Sequence, residues 1–234
     1  MERAAQVLRE ASAHSPDVMC FQEVTTPFAL ALRRSRRLEK TYETSPNIID
    51  GYGVLILARR TLRPRFREVR LPTSMGRSLV VVTLDVNGSD IQVATVHLES
   101  LNSAETRRRQ LAIAADDLGA ADLAVLCGDF NFDDEQNYGD WRRPRIAPLE
   151  NDVLASHLPT WLDCWPSLRP DDRGLTFAGG TNPLVRNMDE RMRYDRVMAT
   201  SPSGAWSPIT IDLLGTALPP PSDHYGLVAT FAPR

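Results

Sequence analysis

The amino-acid sequence predicts a mixed α/β fold in which apolar strands alternate with helices. Three observations indicate this class. Short runs of branched and apolar residues alternate with segments whose apolar residues recur every three to four positions. Two of the runs flank Asn87-Gly88, a dipeptide typical of tight hairpins. With 234 residues, 42% of them hydrophobic, the chain is long enough to bury a core that needs no disulfide or structural metal.

The N-terminal part predicts a helix, a strand and a second helix. The first helix is expected over Glu2–Ala13, where apolar residues recur at helical spacing. Asp17–Val24 is a short apolar run behind a Ser-Pro pair, which predicts a buried strand. Thr26 can cap a helix, and Pro27 suits its first position because the proline lacks only an amide hydrogen that would stay unpaired there. This second helix is expected to reach about Arg37.

The next part predicts three strands, two of which form a hairpin. Tyr52–Ala58 is a strongly apolar run. Ser78–Val86 and Ser89–His97 follow it and are separated only by Asn87-Gly88. Both turn positions of such a hairpin require a positive φ, which asparagine and glycine adopt most readily. This dipeptide is therefore the strongest hairpin signal in the chain.

A helix and another buried strand follow the hairpin. The helix is expected to begin near Ser103 and to end at Gly119, which suits the left-handed position just beyond a helix end. Its apolar stripe consists of Leu111, Ala114, Ala115 and Leu118. Ala121–Cys127 then predicts a buried strand that leads into Gly128-Asp129.

The remaining third predicts a long loop and two closing strands. From Phe132 to about Thr160 the sequence is polar and indicates at most one short helix. Loops of this length inside domains are often functional. Arg193–Ala199 and Leu227–Phe231 are expected to be the closing strands.

Charge and cysteine content restrict the partners and the compartment. The formal net charge of −3 and the pI near 5.8 exclude a strongly basic nucleic-acid coat but allow a local basic groove. No apolar run approaches the roughly 20 residues of a membrane span, so no membrane partner is expected. Three scattered cysteines predict free thiols in a reducing compartment, and hence an intracellular protein, nuclear or cytoplasmic. We expect a monomer.

Runs of arginine favour solvated helix faces or plain surface over a nucleic-acid track. They lie within residues 33–37, 107–109 and 142–145. Trp141 is the one tryptophan for which stacking on a nucleic-acid base is considered.

Polar residues stand at the ends of the apolar strands, where burial is costly. Five segments share this feature: Gln22-Glu23, His97-Leu98-Glu99-Ser100, Gly128-Asp129-Phe130-Asn131, Tyr194-Asp195-Arg196 and Ser222-Asp223-His224. Taken singly, each has an ordinary explanation, such as a turn, a helix cap, an ion pair or a structural histidine. Their order along the chain is the specific signal.

The acids in these segments predict a Mg²⁺ site. A hard cation offsets the cost of carboxylates at buried strand ends, and Mg²⁺ leaves positions for water and for substrate phosphate. Glu23, Asp129 and Asp223 are the candidate acids, and His97 and His224 stand beside them at strand ends. No Cys/His cluster indicates zinc. Mn²⁺ is expected as a possible substitute.

This ordered set resembles the endonuclease/exonuclease/phosphatase superfamily of Mg²⁺-dependent phosphoesterases. Within it, the chain looks most similar to the type 2 tyrosyl-DNA phosphodiesterases. The segments that carry the resemblance are Ser15–Val24, His97–Ser100, Tyr194–Val197, Ile211–Gly215 and Ser222–Leu227. The resemblance implies a four-layer α/β/β/α sandwich with two central mixed sheets, and a site where the motif loops meet.

The resemblance also implies roles for the metal-binding and water-activating residues. Glu23 would bind the metal, and Asp223 would be a second acid near it. Asp129 would position and deprotonate the attacking water. Asn131 would orient that water and the phosphate.

Other implied roles concern the phosphate and the rest of the substrate. His224 would stabilise the phosphoryl transition state, with Asp195 holding its ring, and His97 would contact the scissile phosphate. The remaining substrate-binding candidates are Ser100, Arg77, Tyr52 and Phe177.

The sequence departs from the family pattern at several positions. The family opens with a strand that carries Thr-Trp-Asn, whereas this sequence begins at the following helix. We therefore expect a single catalytic domain over residues 1–234, truncated relative to the family and without its first strand. Asp133 stands where the family has an arginine, and Phe177 where it has a tryptophan. Leu101 and Asn102 directly follow Ser100, where another family arginine is expected.

The leading hypothesis is a Mg²⁺-dependent phosphodiesterase that hydrolyses 5′-phosphotyrosyl or related DNA ends by in-line attack of water. Its partner would be a DNA end carrying a 5′-phosphotyrosyl adduct. A phenolic leaving group, with a pKa of about 10, can depart with metal polarisation alone. A second hypothesis keeps the chemistry but assigns an RNA end, a phosphoinositide or a small phosphodiester as substrate. A third is an inactive binding or scaffold domain.

Overall fold

The computed structural model of the chain describes residues 2–47, 49, 51–140 and 148–234. The helices in these ranges are α1 (Glu2–Ala13), α2 (Thr26–Arg34), α3 (Arg36–Thr41), α4 (Ala104–Leu118), α5 (Val153–His157) and α6 (Cys164–Leu168). The strands are β1 (Val18–Thr25), β2 (Tyr42–Thr44), β3 (Tyr52–Arg59), β4 (Arg65–Arg70), β5 (Ser78–Val86), β6 (Ser89–His97), β7 (Leu123–Asp129), β8 (Leu162–Asp163), β9 (Phe177–Ala178), β10 (Arg191–Met192), β11 (Asp195–Thr200), β12 (Trp206–Leu214) and β13 (Gly226–Pro233). Within the described ranges, every helix is too short or too polar to cross a membrane.

The largest sheet has six strands in the order β4-β5-β6-β7-β11-β8. Only its β6–β7 pair is parallel, and the other pairs are antiparallel, so the sheet is mixed. The long helix α4 connects the two parallel strands, as a parallel pair requires a crossover rather than a tight turn. The ends of β6 and β7 therefore lie at the same edge of this sheet.

A second β layer faces the six-stranded sheet. It contains the sheet β1-β3-β2 and the hairpin β12-β13, all with antiparallel pairs. Side chains of β3, β5, β7 and β11 fill the space between the two layers, together with Ile211 of β12. Because neighbouring residues of a strand point to opposite faces, Val80 and Val82 enter this central core, while Leu79 and Val81 face away from it.

Helices cover both outer faces. Leu111, Ala114 and Leu118 of α4 pack with the outward-facing residues of β5–β7, and Leu154 of α5 joins them. On the other side, α1, α2 and α3 bury one leucine each against β1 and β3. The predicted α/β class with four layers is confirmed, because the layers follow the order helix, sheet, sheet, helix.

The local predictions were confirmed where the signal lay within a few residues. The hairpin pairs Val86 with Ser89, and its turn residues Asn87 and Gly88 have φ of 54° and 85°. The first helix has its predicted bounds. The short helix expected in the long loop is α5, preceded by a 3-10 turn at Glu150–Asp152.

Three local predictions about helix ends were wrong. Thr26 was expected to cap the second helix, but it is the first residue of α2, and Thr25 holds the cap position. The helix from Thr26 does not reach Arg37 but stops at Arg34, and α3 starts after Ser35. The break has a packing reason: Leu32 and Leu38 are both buried in one cluster, yet in a continuous helix, residues six positions apart would point about 120° away from each other. Gly119 was also expected to be left-handed, but it has a right-handed φ of −69° at the end of α4.

Candidate active site

Three of the predicted site residues lie side by side across the six-stranded sheet. His97 ends β6, Asp129 ends β7 and Asp195 begins β11. In the strand register, His97 pairs with Asp129, and Asp129 pairs with Asp195. Residues 97, 129 and 195, which are remote in sequence, thus form one row at one edge of the sheet.

A close backbone approach precedes this row in β7. Gly128 has a φ of 134°, and a Cβ atom built on it would lie 2.0 Å from the carbonyl oxygen of Val96. Only glycine accommodates both features. Beyond it, the carbonyl of Asp129 accepts a hydrogen bond from the amide of Leu98, which extends the pairing past His97. Gly128 therefore allows β7 to approach β6 closely where the carboxylate is presented.

His224 and Asp195 are joined by a short hydrogen bond. The Nδ1–H of His224 donates to Oδ2 of Asp195 over 2.7 Å. Burial acts to lower the pKa of His224, but the Asp195 carboxylate outweighs it, with help from Asp129 and Asp223, and raises the pKa to about 10. His224 is therefore an imidazolium at neutral pH, with Nε2–H left to face a substrate.

His97 is held in the opposite protonation state. Nη1 of Arg77 lies 3.0 Å from Nδ1 of His97, and since arginine can only donate, Nδ1 accepts. The proton of the neutral ring is then on Nε2, which lies 3.4 Å from Oδ2 of Asp129. Burial and the Arg77 cation lower the pKa of His97 to about 3.

Asp129 is a buried carboxylate with an unusually high proton affinity. Burial raises its pKa to about 6, and the neighbouring carboxylates of Asp195 and Glu23 act in the same direction. The imidazolium of His224 opposes this rise but does not cancel it. A carboxylate tuned toward neutrality is a better proton acceptor than an ordinary aspartate.

Asn131 is fixed beside Asp129. Its amide N–H donates to Oδ1 of Asp129 over 2.8 Å, and its side-chain Nδ2 donates to the carbonyl of Leu98 over 3.0 Å. Since Nδ2 is turned toward the backbone, the side-chain oxygen Oδ1 is left to accept from a water molecule. The residue has a φ of 57°, a left-handed conformation that asparagine tolerates better than most residues.

Glu23 reaches the site from the other β layer. The pairing of β1 with β3 shifts between Phe21 and Val24, and Glu23 in this bulge has a φ of 50°. Its neighbour Gln22 donates to Thr95 of β6 over 2.7 Å, which ties the two layers together at this point. Bulges of this kind re-aim side chains next to functional sites. Glu23 is exposed, and its charge is felt by Asp129.

The oxygen-rich donor set fits a hard divalent cation. The carboxylates of Asp195 and Glu23 both raise the pKa of Asp129, and a cation would relieve that repulsion. The carboxylate of Asp223, the residue before His224, also raises the pKa of His224. In the described ranges, no group of three or more His, Cys, Asp or Glu side chains is arranged to hold a metal ion. Mg²⁺ commonly uses one or two carboxylates and keeps its other positions for water and phosphate.

The predicted substrate-binding residues form two groups around this centre. Arg77 donates to the hydroxyl of Ser100 over 2.8 Å and lies 5.2 Å from the ring centre of Tyr52. Arg77 is only 6% exposed and lacks a carboxylate within ion-pair distance among the described residues, so its positive charge is available to an anion. On the opposite side, the ring of Phe177 lies 4.9 Å from that of His224.

The sequence did not indicate which residues hold the segment after His97, residues 98–101, in place. Glu99 is 1% exposed and accepts hydrogen bonds from Thr73, Ser74 and Gln110. Nη1 of Arg107 donates to the carbonyls of residues 99 and 101, and its other nitrogens bind Glu150 at 2.5 and 2.7 Å. Helical spacing contained the signal, because Arg107 and Gln110 lie on the buried stripe of α4.

Two further buried polar residues hold the loops of Asp195 and Asp223. Asn182 is 1% exposed and donates from Nδ2 to the carbonyls of Ser222 and Asp223. Thr176 accepts from the amide of Asp195 over 3.0 Å. No motif pointed to either residue.

Asp133 replaces the expected family arginine and has a structural role. It is 1% exposed and accepts from the amide of Arg193 and from the side chain of Arg173. Arg193 in turn contacts Asp134 and Asp163. The acid at 133 therefore belongs to an ion-pair network behind the site, which anchors the start of the long loop.

The arginine runs behave differently from one another. Arg108 and Arg109 pair with Glu105 on the exposed face of α4, whereas Arg107 is buried. The arginines of residues 33–37 are exposed. Trp141, Arg142, Arg143 and Arg145 lie outside the described residues.

Comparisons with known proteins identify the family to which the chain is similar. The Endonuclease/Exonuclease/phosphatase family model matches residues 1–224. Tyrosyl-DNA phosphodiesterase 2 of Gallus gallus is 27% identical over 245 residues, which cover 98% of this chain and 62% of that protein. The Homo sapiens protein of the same name is 28% identical over 243 residues, which cover 97% of this chain and 62% of that protein. The chain thus spans about 62% of the length of these curated relatives.

Solved structures show the same fold. D. rerio TDP2 complexed with single strand DNA product superposes with a TM-score of 0.78 at 23% identity, covering 99% of this chain and 92% of that chain. The human Nocturnin catalytic domain with bound sulfate anion gives a TM-score of 0.73 at 22% identity, covering 100% of this chain and 86% of that chain.

Proposed function

This chain belongs to the endonuclease/exonuclease/phosphatase family, and from that membership and the geometry of its site we propose that it is a Mg²⁺-dependent phosphodiesterase. We propose DNA ends as its substrates, in particular 5′-phosphotyrosyl ends, which are hydrolysed by in-line attack of water. The similarity to tyrosyl-DNA phosphodiesterase 2 supports this substrate class.

The observation that carries the proposal is the arrangement of two histidines near Asp129: Asp195 binds His224, and Arg77 binds His97, which pairs with Asp129 in the sheet. Asp195 keeps His224 cationic, whereas Arg77 and burial keep His97 neutral. Asp129 lies between His97 and Asp195 in the sheet, and its pKa is raised to about 6. A cation, a neutral donor and a tuned base are the groups that an in-line phosphoryl displacement requires.

Each group has a step in the proposed reaction. Asp129 accepts the proton of the attacking water, and the oxygen of Asn131 aligns that water. The charge that develops on the phosphoryl oxygens is stabilised by the imidazolium of His224 and by the Nε2–H of His97. Asp195 keeps the ring of His224 oriented through its 2.7 Å contact.

Glu23 would hold the Mg²⁺, with Asp223 close by. When bound, the cation neutralises phosphate charge and makes the leaving oxygen a weaker base. A tyrosine phenol needs little further help, because its pKa is about 10. Arg77 and Ser100 would hold a phosphate oxygen on the side of His97.

The test is hydrolysis of a 5′-phosphotyrosyl oligonucleotide with added Mg²⁺. We expect release of tyrosine, loss of activity with a chelator, and a loss of at least about a hundredfold for Asp129→Asn and Glu23→Gln. Asp116→Asn, an exposed acid of α4, is the matched control and should keep full activity. RNA ends, a phosphoinositide and a small phosphodiester complete the substrate panel.

The outcomes separate the hypotheses. Preferred cleavage of another member of the panel would overturn the DNA-end substrate but keep the phosphodiesterase. Failure to cleave any substrate, combined with failure to bind Mg²⁺ in calorimetric titration, would overturn the enzyme and favour a scaffold.

A further inference from the structure

Six non-glycine residues have a positive φ in the described ranges, and three of them lie in, or directly after, the polar segments at the strand ends. Glu23, Leu101 and Asn131 have φ of 50°, 63° and 57°. For Glu23 and Asn131, the conformation presents a group that the proposed reaction uses. Leu101 has no such group, and leucine adopts this region far less readily than asparagine. A strained residue that persists beside a functional site calls for a role of its own.

The strain at Leu101 is maintained by buried hydrogen bonds. Its carbonyl accepts from Nη1 of Arg107 over 2.8 Å and from the amide of Ser103 over 2.9 Å. Arg107 is 1% exposed and is itself fixed by both oxygens of Glu150. The backbone of this segment is therefore rigid, whereas the side chain of Leu101 is 56% exposed.

Leu101 directly follows Ser100, one of the residues proposed to bind the phosphate. Ser100 accepts from Arg77, and Arg77 contacts His97, so Leu101 adjoins the proposed phosphate subsite. The carbonyl of Leu98, three residues earlier, holds the side chain of Asn131. The segment 98–101 therefore lies on the side of the phosphate from which water attacks.

In-line displacement places the leaving group opposite the attacking water. The exposed side chain of Leu101, which directly follows Ser100, is then remote from the departing phenol, so the substrate group within its reach is the one that stays on phosphorus. For a DNA end, that group is the first nucleoside, which offers an apolar sugar edge and a flat base. Resting on the proposed function, we propose that Leu101 is a specificity residue that packs against the retained nucleoside.

Two esters with the same leaving group test this directly. Thymidine 5′-(p-nitrophenyl phosphate) and methyl p-nitrophenyl phosphate both release p-nitrophenolate, but only the first retains a nucleoside. Leu101→Ala should lower kcat/KM for the thymidine ester by about 5- to 20-fold, mainly through KM, since an apolar contact is lost. The methyl ester should be hydrolysed at an unchanged kcat/KM.

Two further variants separate contact from structure. Leu162→Ala, which removes another half-exposed leucine, should leave both esters unaffected. Leu101→Gly removes the side chain but suits a positive φ, so it should reproduce the loss for the thymidine ester without lowering the Tm. Equal losses for both esters, or no loss for the thymidine ester, would overturn the proposal.

A binding measurement keeps this test independent of turnover. If the unaltered protein cleaves neither ester, the proposed function fails, and anisotropy of a 3′-labelled, 5′-phosphorylated single strand then decides the role of Leu101. A Kd raised about 5- to 20-fold by Leu101→Ala would support the nucleoside contact. An unchanged Kd, or no binding by the unaltered protein, would overturn it.

Discussion

Asp195 accepts a 2.7 Å hydrogen bond from Nδ1 of His224, although the two residues are 29 positions apart in the sequence. Asp195 starts β11, whereas His224 stands in the loop before β13. This contact decides that His224 is charged and that Nε2 is the nitrogen free to face a substrate. The contact thereby links the register of a strand to the electrostatics of the proposed reaction.

The first prediction concerns the loss of activity at alkaline pH. Asp195→Asn removes the carboxylate that outweighs burial, so the pKa of His224 should fall from about 10 toward or below its ordinary 6.5. His224 would then lose its proton, and with it its positive charge, at a much lower pH. The pH profile of kcat/KM should lose its activity above about pH 7 in the variant but extend toward about pH 10 in the parent protein.

Stability should follow the same linkage. The folded pKa of His224 lies above its unfolded value, so the pair stabilises the fold fully below about pH 6.5 and loses that contribution as pH rises through about 10. The difference in unfolding free energy between parent and Asp195→Asn should therefore shrink over that window. A difference that grows with pH would contradict this assignment.

The second prediction is that Asp129→Asn stabilises the protein while abolishing activity. The folded pKa of Asp129, about 6, is above its unfolded value, so the ionised carboxylate destabilises the fold above that pH. Without added metal, the amide should raise the unfolding free energy by about 1–3 kcal/mol near pH 8 and by little near pH 4. Denaturant unfolding at both pH values measures this, with Asp116→Asn as the control. An unchanged or lower stability near pH 8 would speak against a destabilising carboxylate.

The third prediction concerns Gly128. A side chain there meets the carbonyl of Val96 at 2.0 Å and must adopt a φ of 134°. Gly128→Ala should therefore cost about 3 kcal/mol or more and separate β6 from β7. Gly88→Ala is the matched control, because Gly88 also has positive φ but open space around it, and should cost only about 1 kcal/mol. Thermal unfolding of both variants tests this, and equal losses would show that the close approach is unimportant.

The fourth prediction contrasts two adjacent arginines. Arg107→Met leaves the buried carboxylate of Glu150 and the carbonyl of Glu99 without this donor and removes one of the two donors to the carbonyl of Leu101, which should cost about 3–5 kcal/mol. Arg108→Met removes an exposed pair with Glu105 and should change stability by about 0.5 kcal/mol or less. Urea unfolding measures both, and similar losses for the two variants would refute the role of Arg107.

Much of the fold was predictable because its signals are local. The hairpin at Asn87-Gly88 depends only on the backbone conformations of two residues. The alternation of inward and outward side chains in a strand depends only on neighbouring residues. Strand β4 was not predicted, because its charged residues, which lie at the edge of the sheet, are also typical of a loop. Strand β12 was missed because its exposed residues and Pro208 weaken the apolar pattern. The end of α2 depended on the burial of two leucines in one cluster, which no local pattern contains.

The residues of the candidate site were likewise predictable only in part. Its acids and histidines were recognisable in the sequence because polar residues at buried strand ends are costly. Their supports, such as Asn182 and Thr176, were not recognisable, since a buried polar residue is distinguished only by its partners.

The sequence by itself determined which segments become strands and helices and which chemical groups stand at their ends. Those choices depend on backbone preferences and apolar spacing over a few residues. Only the tertiary structure decided that residues 97, 129 and 195 share one row, that His224 is charged while His97 is neutral, and that Arg107 is buried while Arg108 is exposed. Register and protonation depend on packing between segments far apart in the chain, and a pattern within one segment cannot encode them.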